Sequence, residues 1–110
     1  MLGKILTIKY QGDEMIVHIV MFDFKEEKKA ENIAKAKEML EALVEKIEPL
    51  KTMEVGVDFN GSERAMDLSL ISTFETKEGL STYATHPAHL EVVAFIKEVT
   101  LQSKVVDYEK

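Results

Sequence analysis

Residues 16–24 constrain the fold most, because they alternate like a strand and yet are apolar on both sides. Successive side chains of an extended strand point to opposite faces. One face would carry Ile16, His18, Val20, Phe22 and Phe24. The other would carry Val17, Ile19, Met21 and Asp23. A strand with water on one side should alternate apolar with polar residues, so this strand belongs to a sheet that is covered on both faces.

Helical spacing and a hairpin pattern follow this strand. Over residues 26–47 the apolar residues form one stripe among Glu and Lys, which predicts an amphipathic helix ended by Pro49. Residues 53–59 and 66–74 then alternate as two strands. The Asn60-Gly61 pair between them tolerates the positive φ of a turn, so these strands are predicted to form a hairpin.

The last third of the chain predicts a short helix over residues 76–83, a longer helix over 87–99 and a strand over 103–108. The complete order is strand, helix, strand, strand, helix, strand. This order is typical of the ferredoxin-like α+β fold, βαββαβ, in which helices cover one face of a four-stranded antiparallel sheet.

The opposite face of such a sheet is left without helices. It would nevertheless carry apolar side chains, at Val17, Ile19, Met21, Ile71 and Val106. A second copy of the same sheet is the most economical cover, because one patch then serves both partners. We therefore predict a homodimer formed through the sheet faces.

Composition limits the remaining classes of protein. The 110 residues fit one domain, and they contain no cysteine for a disulfide, a thiolate metal site or a nucleophile, which suits the cytoplasm. Fourteen basic residues against twenty acidic ones, with Arg64 the only arginine, argue against nucleic acid as a partner. No apolar run approaches the roughly 20 residues of a membrane span, and residues 1–14 lack a signal-peptide pattern.

Residues 1–14 form an extension ahead of the main domain, predicted over 15–110. The extension closes with Gln-Gly-Asp-Glu, a turn-like cluster. Two interpretations remain open: Met15 is a natural start, or residues 5–10 form an extra edge strand that pairs with the first strand of the domain.

Two of the three histidines lie in the segment Tyr83-Ala-Thr-His86-Pro87-Ala-His89. Proline is favoured at the first helical position, so His86 should be the N-cap and His89 should lie one turn into the helix, facing the core. A helix N-terminus and burial both disfavour a charged imidazole. A neutral His89 could act as a general base.

Tyr83 can reach the same space from the preceding short helix, and His18 from the sheet, so the three side chains would line one mostly apolar cavity. In this prediction His89 and Tyr83 are catalytic. The substrate-binding residues are His18, Val20, Phe22 and His86. Each has a structural alternative: a core histidine bonded to a backbone carbonyl for His18 and His89, a core aromatic for Tyr83 and a simple cap for His86.

A metal site formed by His86 and His89 is disfavoured, because a third ligand would have to come from His18 or a distant carboxylate. The prediction therefore includes no metal and no cofactor.

Four motifs in order resemble the stress-responsive A/B barrel (Dabb) family. They are Met15-Ile-Val-His18-Ile-Val-Met-Phe-Asp-Phe24, the Asp67-Leu68 strand ending in Phe74, Tyr83-x-x-His86-Pro87-x-His89, and Val105-Val106-Asp107-Tyr108. The resemblance covers residues 15–109. It implies a ferredoxin-like subunit that dimerises through its sheets into an α+β barrel.

The same resemblance implies a candidate chemistry. Family members include plant polyketide cyclases, in which the tyrosine and second histidine of this motif act in an intramolecular aldol reaction. The matching positions are Tyr83 and His89, and the sheet histidine of those enzymes matches His18. Because most members have no assigned reaction, the resemblance supports the fold more strongly than the activity.

Three hypotheses of function follow. The first is a cofactor-free cyclase or isomerase acting on a small hydrophobic carbonyl compound, with His89 as base and Tyr83 as hydrogen-bond donor to the enolate. The second is a homodimer that binds a hydrophobic molecule or serves in stress without catalysis. The third is a cofactor-free monooxygenase. A ring-sized cavity with both polar groups facing it would favour an enzyme.

Overall fold

The computed structural model describes residues 15–110, so both interpretations of residues 1–14 lie outside the described residues. The described part contains four strands, three α-helices and one short 3-10 helix, Ala42–Glu45. In chain order the main elements are β1 (Ile16–Phe24), α1 (Lys29–Glu41), β2 (Leu50–Val57), β3 (Leu68–Phe74), α2 (Lys77–Thr85), α3 (Pro87–Val99) and β4 (Thr100–Glu109).

The four strands form one antiparallel sheet in the order β2-β3-β1-β4. This is the predicted ferredoxin-like arrangement, with β1 and β3 in the centre. The register places Ile19 opposite Ile71 of β3 and opposite Val106 of β4. Central β1 therefore fixes which residues of its two neighbours share each face of the sheet.

The helices cover one face of the sheet, which we call the inner face. Alternate residues of β1 and β3 meet α1 and α3 there, and large side chains are almost completely buried, among them Phe24, Phe74, Leu68 and Tyr83. Each such side chain contributes about 1.5–3 kcal/mol relative to full exposure. This packing determines where α3 lies relative to β1.

The other face, which we call the outer face, is apolar as predicted. Met21, Ile71 and Val106 are 40%, 37% and 52% exposed in the single chain. Val17 differs from the prediction: its register places it on the same face, but it is only 3% exposed. Val17 is therefore not part of the exposed patch in the single chain, although it lies on the outer face and outside the core cluster packed beneath the helices.

The first helix is shorter than predicted. An α-helix over residues 26–47 was expected, but Lys28 has a left-handed backbone, with φ of 51°, and the helix begins after it. Beyond Glu41 the hydrogen bonds tighten into the 3-10 helix, and the backbone N–H groups of Lys46 and Ile47 both donate to Leu43 O at 3.0 Å. The tighter turn ends the helix before Pro49.

The second strand lies earlier in the chain than the predicted range, 53–59. Asp58 Oδ2 accepts a hydrogen bond from Gly61 N at 2.7 Å, and Gly61 adopts a φ of 65°, so a turn begins where the strand was expected to continue. Phe59 is consequently 98% exposed in the loop. At the other end, a register shift between Leu50 and Thr52 brings buried Leu50 into the strand.

The last three elements differ little from their predictions. Helix α3 has the predicted bounds, and α2 begins after Thr76, whose Oγ1 accepts from Gly79 N at 2.9 Å as an N-cap. Strand β4 is longer than the predicted 103–108, and it forms an exposed edge of the sheet beside β1. The space between α3, β1 and β4 holds the candidate site.

Candidate functional site

A cavity of about 210 Å³ lies between the inner face of the sheet and α3. Its floor is formed by buried apolar residues such as Leu70, Val92 and Ile96. The complete lining is His18, Val20, Phe22, Leu40, Leu70, Tyr83, His89, Val92, Val93, Ile96, Lys97, Thr100 and Ser103. A dry cavity of roughly 150 Å³ already accommodates benzene, so this space is large enough for a ring-sized ligand.

His89 enters the cavity from the first turn of α3. Its Nδ1 lies 3.1 Å from Ala84 O, and a carbonyl oxygen only accepts, so Nδ1 carries the proton and donates it. The lone pair of the neutral ring is then on Nε2. Burial lowers the pKa of His89, and the nearby His18 and His86 lower it further, against an opposing effect of the Ala84 bond. His89 is therefore neutral at pH 7.

Tyr83 lies against His89 and is 1% exposed. The two ring centroids are 4.2 Å apart with an interplanar angle of 39°, and the Phe74 ring holds Tyr83 from the sheet side at 5.0 Å. Burial raises the pKa of Tyr83, so the phenol keeps its proton at neutral pH. A protonated phenol can donate a hydrogen bond to an oxygen atom in the cavity.

His18 completes the polar end of the cavity from β1. Its side chain is 17% exposed, and its ring meets Tyr83 edge to face at 6.2 Å between centroids. The register places Asp107 of β4 beside it, with 2.5 Å between His18 Nδ1 and Asp107 Oδ1. An ionised carboxylate only accepts hydrogen bonds, so this contact makes Nδ1 the donor and fixes the orientation of the ring.

His86 has a different place from the other two histidines. Its backbone is extended, as the residue before a proline prefers, and its Nδ1 accepts a hydrogen bond from Ala88 N at 3.0 Å. This is the predicted N-cap. His86 is absent from the residues that line the cavity within the described chain, whereas the other predicted binding residues, His18, Val20 and Phe22, line it.

Four polar residues at the site were missed from the sequence: Lys97, Thr100, Ser103 and Asp107. A helical signal for Lys97 existed, since it follows His89 and Val93 at four-residue intervals on one face of α3. Asp107 had no such signal, because its contact with His18, 89 residues away in sequence, depends on the register between β1 and β4.

Metal-ligand clusters and membrane-spanning helices are not found within the described residues, 15–110. No group of three or more His, Cys, Asp or Glu side chains there is arranged to hold a metal ion. None of the helices in that part of the chain combines the length and apolar character of a membrane span.

The geometry combines three chemical properties in one apolar space. There is a neutral imidazole with its lone pair on Nε2, a protonated phenol beside it and a second imidazole oriented by a carboxylate. A base next to a hydrogen-bond donor is what proton removal beside a carbonyl group requires, because negative charge develops on the carbonyl oxygen as the proton leaves.

Comparison of the sequence with protein families matches residues 16–110 to the Stress responsive A/B Barrel Domain, Dabb. The chain is also 31% identical over 94 residues to the stress-response A/B barrel domain-containing protein At5g22580 of Arabidopsis thaliana, covering 83% of this chain and 82% of that protein. These matches confirm the resemblance drawn from the four motifs.

Solved structures support the same assignment. A dimeric protein of unknown function with a ferredoxin-like fold, from Bacteroides fragilis, is 34% identical with a TM-score of 0.81, covering 91% of this chain and 98% of that one. The hydroxynitrile lyase of Passiflora edulis, at 19% identity and a TM-score of 0.78, covers 87% of this chain and 93% of its own and shares the fold. The chain belongs to the stress-responsive A/B barrel domain family.

Proposed function

We propose that the protein binds a small, largely apolar carbonyl compound between the sheet and α3 and catalyses proton transfer beside the carbonyl group without a cofactor. The single observation that carries this proposal is the pairing of His89 and Tyr83, with ring centroids 4.2 Å apart at the wall of a ring-sized cavity. The chemistry is of the cyclase or isomerase type, with an internal aldol reaction as its fullest form.

In the proposed reaction, Nε2 of His89 removes a proton from the carbon next to the carbonyl. The electron pair of the broken C–H bond forms the C=C bond of an enolate, and the Tyr83 hydroxyl donates a hydrogen bond to the enolate oxygen. In the aldol form, the enolate carbon attacks a second carbonyl of the same molecule. The new alkoxide then takes the proton back from His89, so no atom is gained or lost.

His18 would position the substrate or a water molecule at the end of the cavity. Its contact with Asp107 supports this role, because a ring held through Nδ1 presents Nε2 in one direction. The apolar lining from Val20, Phe22 and Leu70 favours a hydrophobic substrate body and keeps bulk water away from the base.

The functional unit in this proposal is a homodimer in the cytoplasm, joined through the outer faces of two sheets. The exposed apolar residues of that face support it, and the Bacteroides fragilis relative is dimeric. A non-catalytic dimer that serves in stress, or binds a ligand without turnover, is the competing account.

Deuterium exchange into the α-position of a panel of β-keto compounds, followed by NMR, tests the proposal. We expect exchange with the wild type, none above background with His89→Ala, and a loss of about a hundredfold with Tyr83→Phe, which keeps the ring and removes only the donor. Exchange absent for every compound, or equal in the wild type and His89→Ala, would contradict the base assignment and favour the non-catalytic dimer.

His86→Asn is a useful companion variant, because asparagine also caps helices. If His86 acts only as a cap, this variant keeps both exchange and stability. A selective loss of exchange in a stable protein would instead support the predicted role of His86 in substrate binding.

A further inference from the structure

The cavity has a second polar end that the proposed chemistry does not use. Lys97, Thr100 and Ser103 line it where α3 passes into β4. Lys97 and Ser103 are exposed, whereas Val92 and Ile96 farther in are buried. Lys97 and Ser103 therefore lie at the opening of the cavity to solvent, which we call the mouth. The Thr100 hydroxyl already donates to Ile96 O at 2.8 Å, which leaves Lys97 and Ser103 as the donors at the mouth.

The mouth lies about two helical turns from the proposed base. Lys97 shares the cavity side of α3 with His89 and Val93, and the helical rise places its backbone about 12 Å beyond that of His89. The lysine side chain can reach back along its own helix toward the apolar lining. One ligand with an apolar body can therefore contact both ends of the cavity.

The charge of the lining is unlike that of the chain as a whole. The chain has a net charge of −6, yet none of the cavity-lining residues is acidic, and Lys97 is the one lysine among them. Within residues 15–110, the ion pairs involve Lys29, Lys37, Lys77 and His18 but not Lys97. An ammonium group at the mouth of an apolar cavity that lacks acidic side chains fits an anionic group on the ligand.

We propose that Lys97, with the Ser103 hydroxyl, binds a carboxylate on the substrate, so that the substrate class is a keto acid with a compact apolar body. The carbonyl lies at Tyr83 and His89, and the carboxylate lies at the mouth. This inference rests on the proposed function for the position of the carbonyl, but Lys97 is a specificity residue and takes no part in the proton transfer.

A purely structural role for Lys97 makes a different prediction. A lysine in the last turn of a helix interacts favourably with the carbonyl end of the helix dipole. Its replacement would then lower stability slightly and would weaken charged and neutral ligands equally. The two roles are separated by comparing a charged ligand with its neutral analogue on the same variants.

The experiment is an NMR titration of the full chain with 4-acetylbenzoate and with its neutral methyl ester, both of which carry a ketone with exchangeable methyl protons. We expect the wild type to bind the acid more tightly, and Lys97→Met to lose about fivefold in affinity for the acid while keeping its affinity for the ester. Lys97→Arg should restore the preference. Lys46→Met, which removes an exposed lysine that does not line the cavity, is the matched control and should change neither affinity.

The outcomes separate this inference from the proposed function. The inference is overturned if Lys97→Met binds the acid as tightly as the wild type does. If the ester nevertheless binds and exchanges deuterium, the proposed function is not affected. If binding of the acid depends on Lys97 but the acid does not exchange deuterium, the carboxylate site is supported, and the base assignment is then decided by the panel of β-keto compounds. Equal losses for both ligands in Lys97→Met, or no binding of either ligand, overturn the inference.

Discussion

The two faces of the sheet carry similar apolar strand residues but lie in different environments. On the inner face, His18 and Val20 of β1 lie beneath helices and beside a cavity. On the outer face, Met21 and its neighbours Ile71 and Val106 remain 37–52% exposed. The comparison shows that the two apolar faces of one strand can have different roles. Helices of the same chain cover one face and leave room for a ligand, and the other face is suited to a second chain.

The largest predicted effect concerns the outer face. Val105 and Val106 are adjacent in β4, are similarly exposed at 61% and 52%, and point to opposite faces of the sheet. Val106→Lys should convert the proposed dimer to monomer or aggregate in light scattering, because a charge would be buried in the proposed interface. Val105→Lys, on the inner side, should leave the mass unchanged.

If both lysine variants kept the dimer mass, the outer face would not be the interface. Loss of the dimer in both variants would point to the β4 edge rather than to a face. The exposed Met21 is a better second site than Val17, because Val17 is buried within the single chain and its replacement by lysine would disturb folding itself.

A smaller effect is expected on the inner face from Asp107. Asp107→Asn replaces an acceptor-only carboxylate with a group that can also donate, so His18 is no longer held with Nδ1 protonated. We expect about a tenfold lower rate of α-deuterium exchange with little change in melting temperature, since misplacing a positioning residue slows the reaction more than it destabilises the fold.

Glu109→Gln is the matched control for Asp107. Glu109 lies two residues along β4, on the same side of the strand, and forms only a long contact of 3.8 Å with Lys77. The rate of α-deuterium exchange in Glu109→Gln should equal that of the wild type. Equal losses in both variants would mean that negative charge on β4, rather than the orientation of His18, affects the reaction.

The smallest effect is a dependence of stability on pH. The folded pKa of His89 is lowered by burial, so below about pH 6.5 the unfolded chain binds more protons at this residue than the folded chain does. Stability should therefore fall as the pH drops through 6.5. Denaturant unfolding from pH 7 to pH 5 should show a shallower loss for His89→Gln than for the wild type; parallel losses would place His89 in a water-like environment.

The sequence predicted those elements whose signals are local. Alternation defined β1, and the His86-Pro87 pair defined the start of α3, so both elements were found with correct bounds. The same signals brought His18, Tyr83 and His89 to one cavity, because strand and helix periodicity determine which side chains point inward.

The missed features depend on contacts between distant segments. The bulge after Leu50 exists only through pairing with β3. The periodicity of residues 53–59 alone therefore placed β2 too late in the chain and included Phe59, which is exposed in the loop, in the strand. The Asp107 contact requires the register of β1 with β4. The volume of the cavity depends on how side chains from several elements pack together, which no single segment encodes.

The proposed reaction requires a neutral His89 that presents the lone pair of Nε2 to the cavity on the inner face. Nitrogen-15 NMR of the histidine rings at pH 7 measures this directly, with His89→Gln to assign the signal. We expect a neutral His89 ring with the proton on Nδ1, as its bond to Ala84 O requires. A ring protonated on Nε2, or on both nitrogens, would contradict the assignment of His89 as the base, because neither form has a lone pair at Nε2.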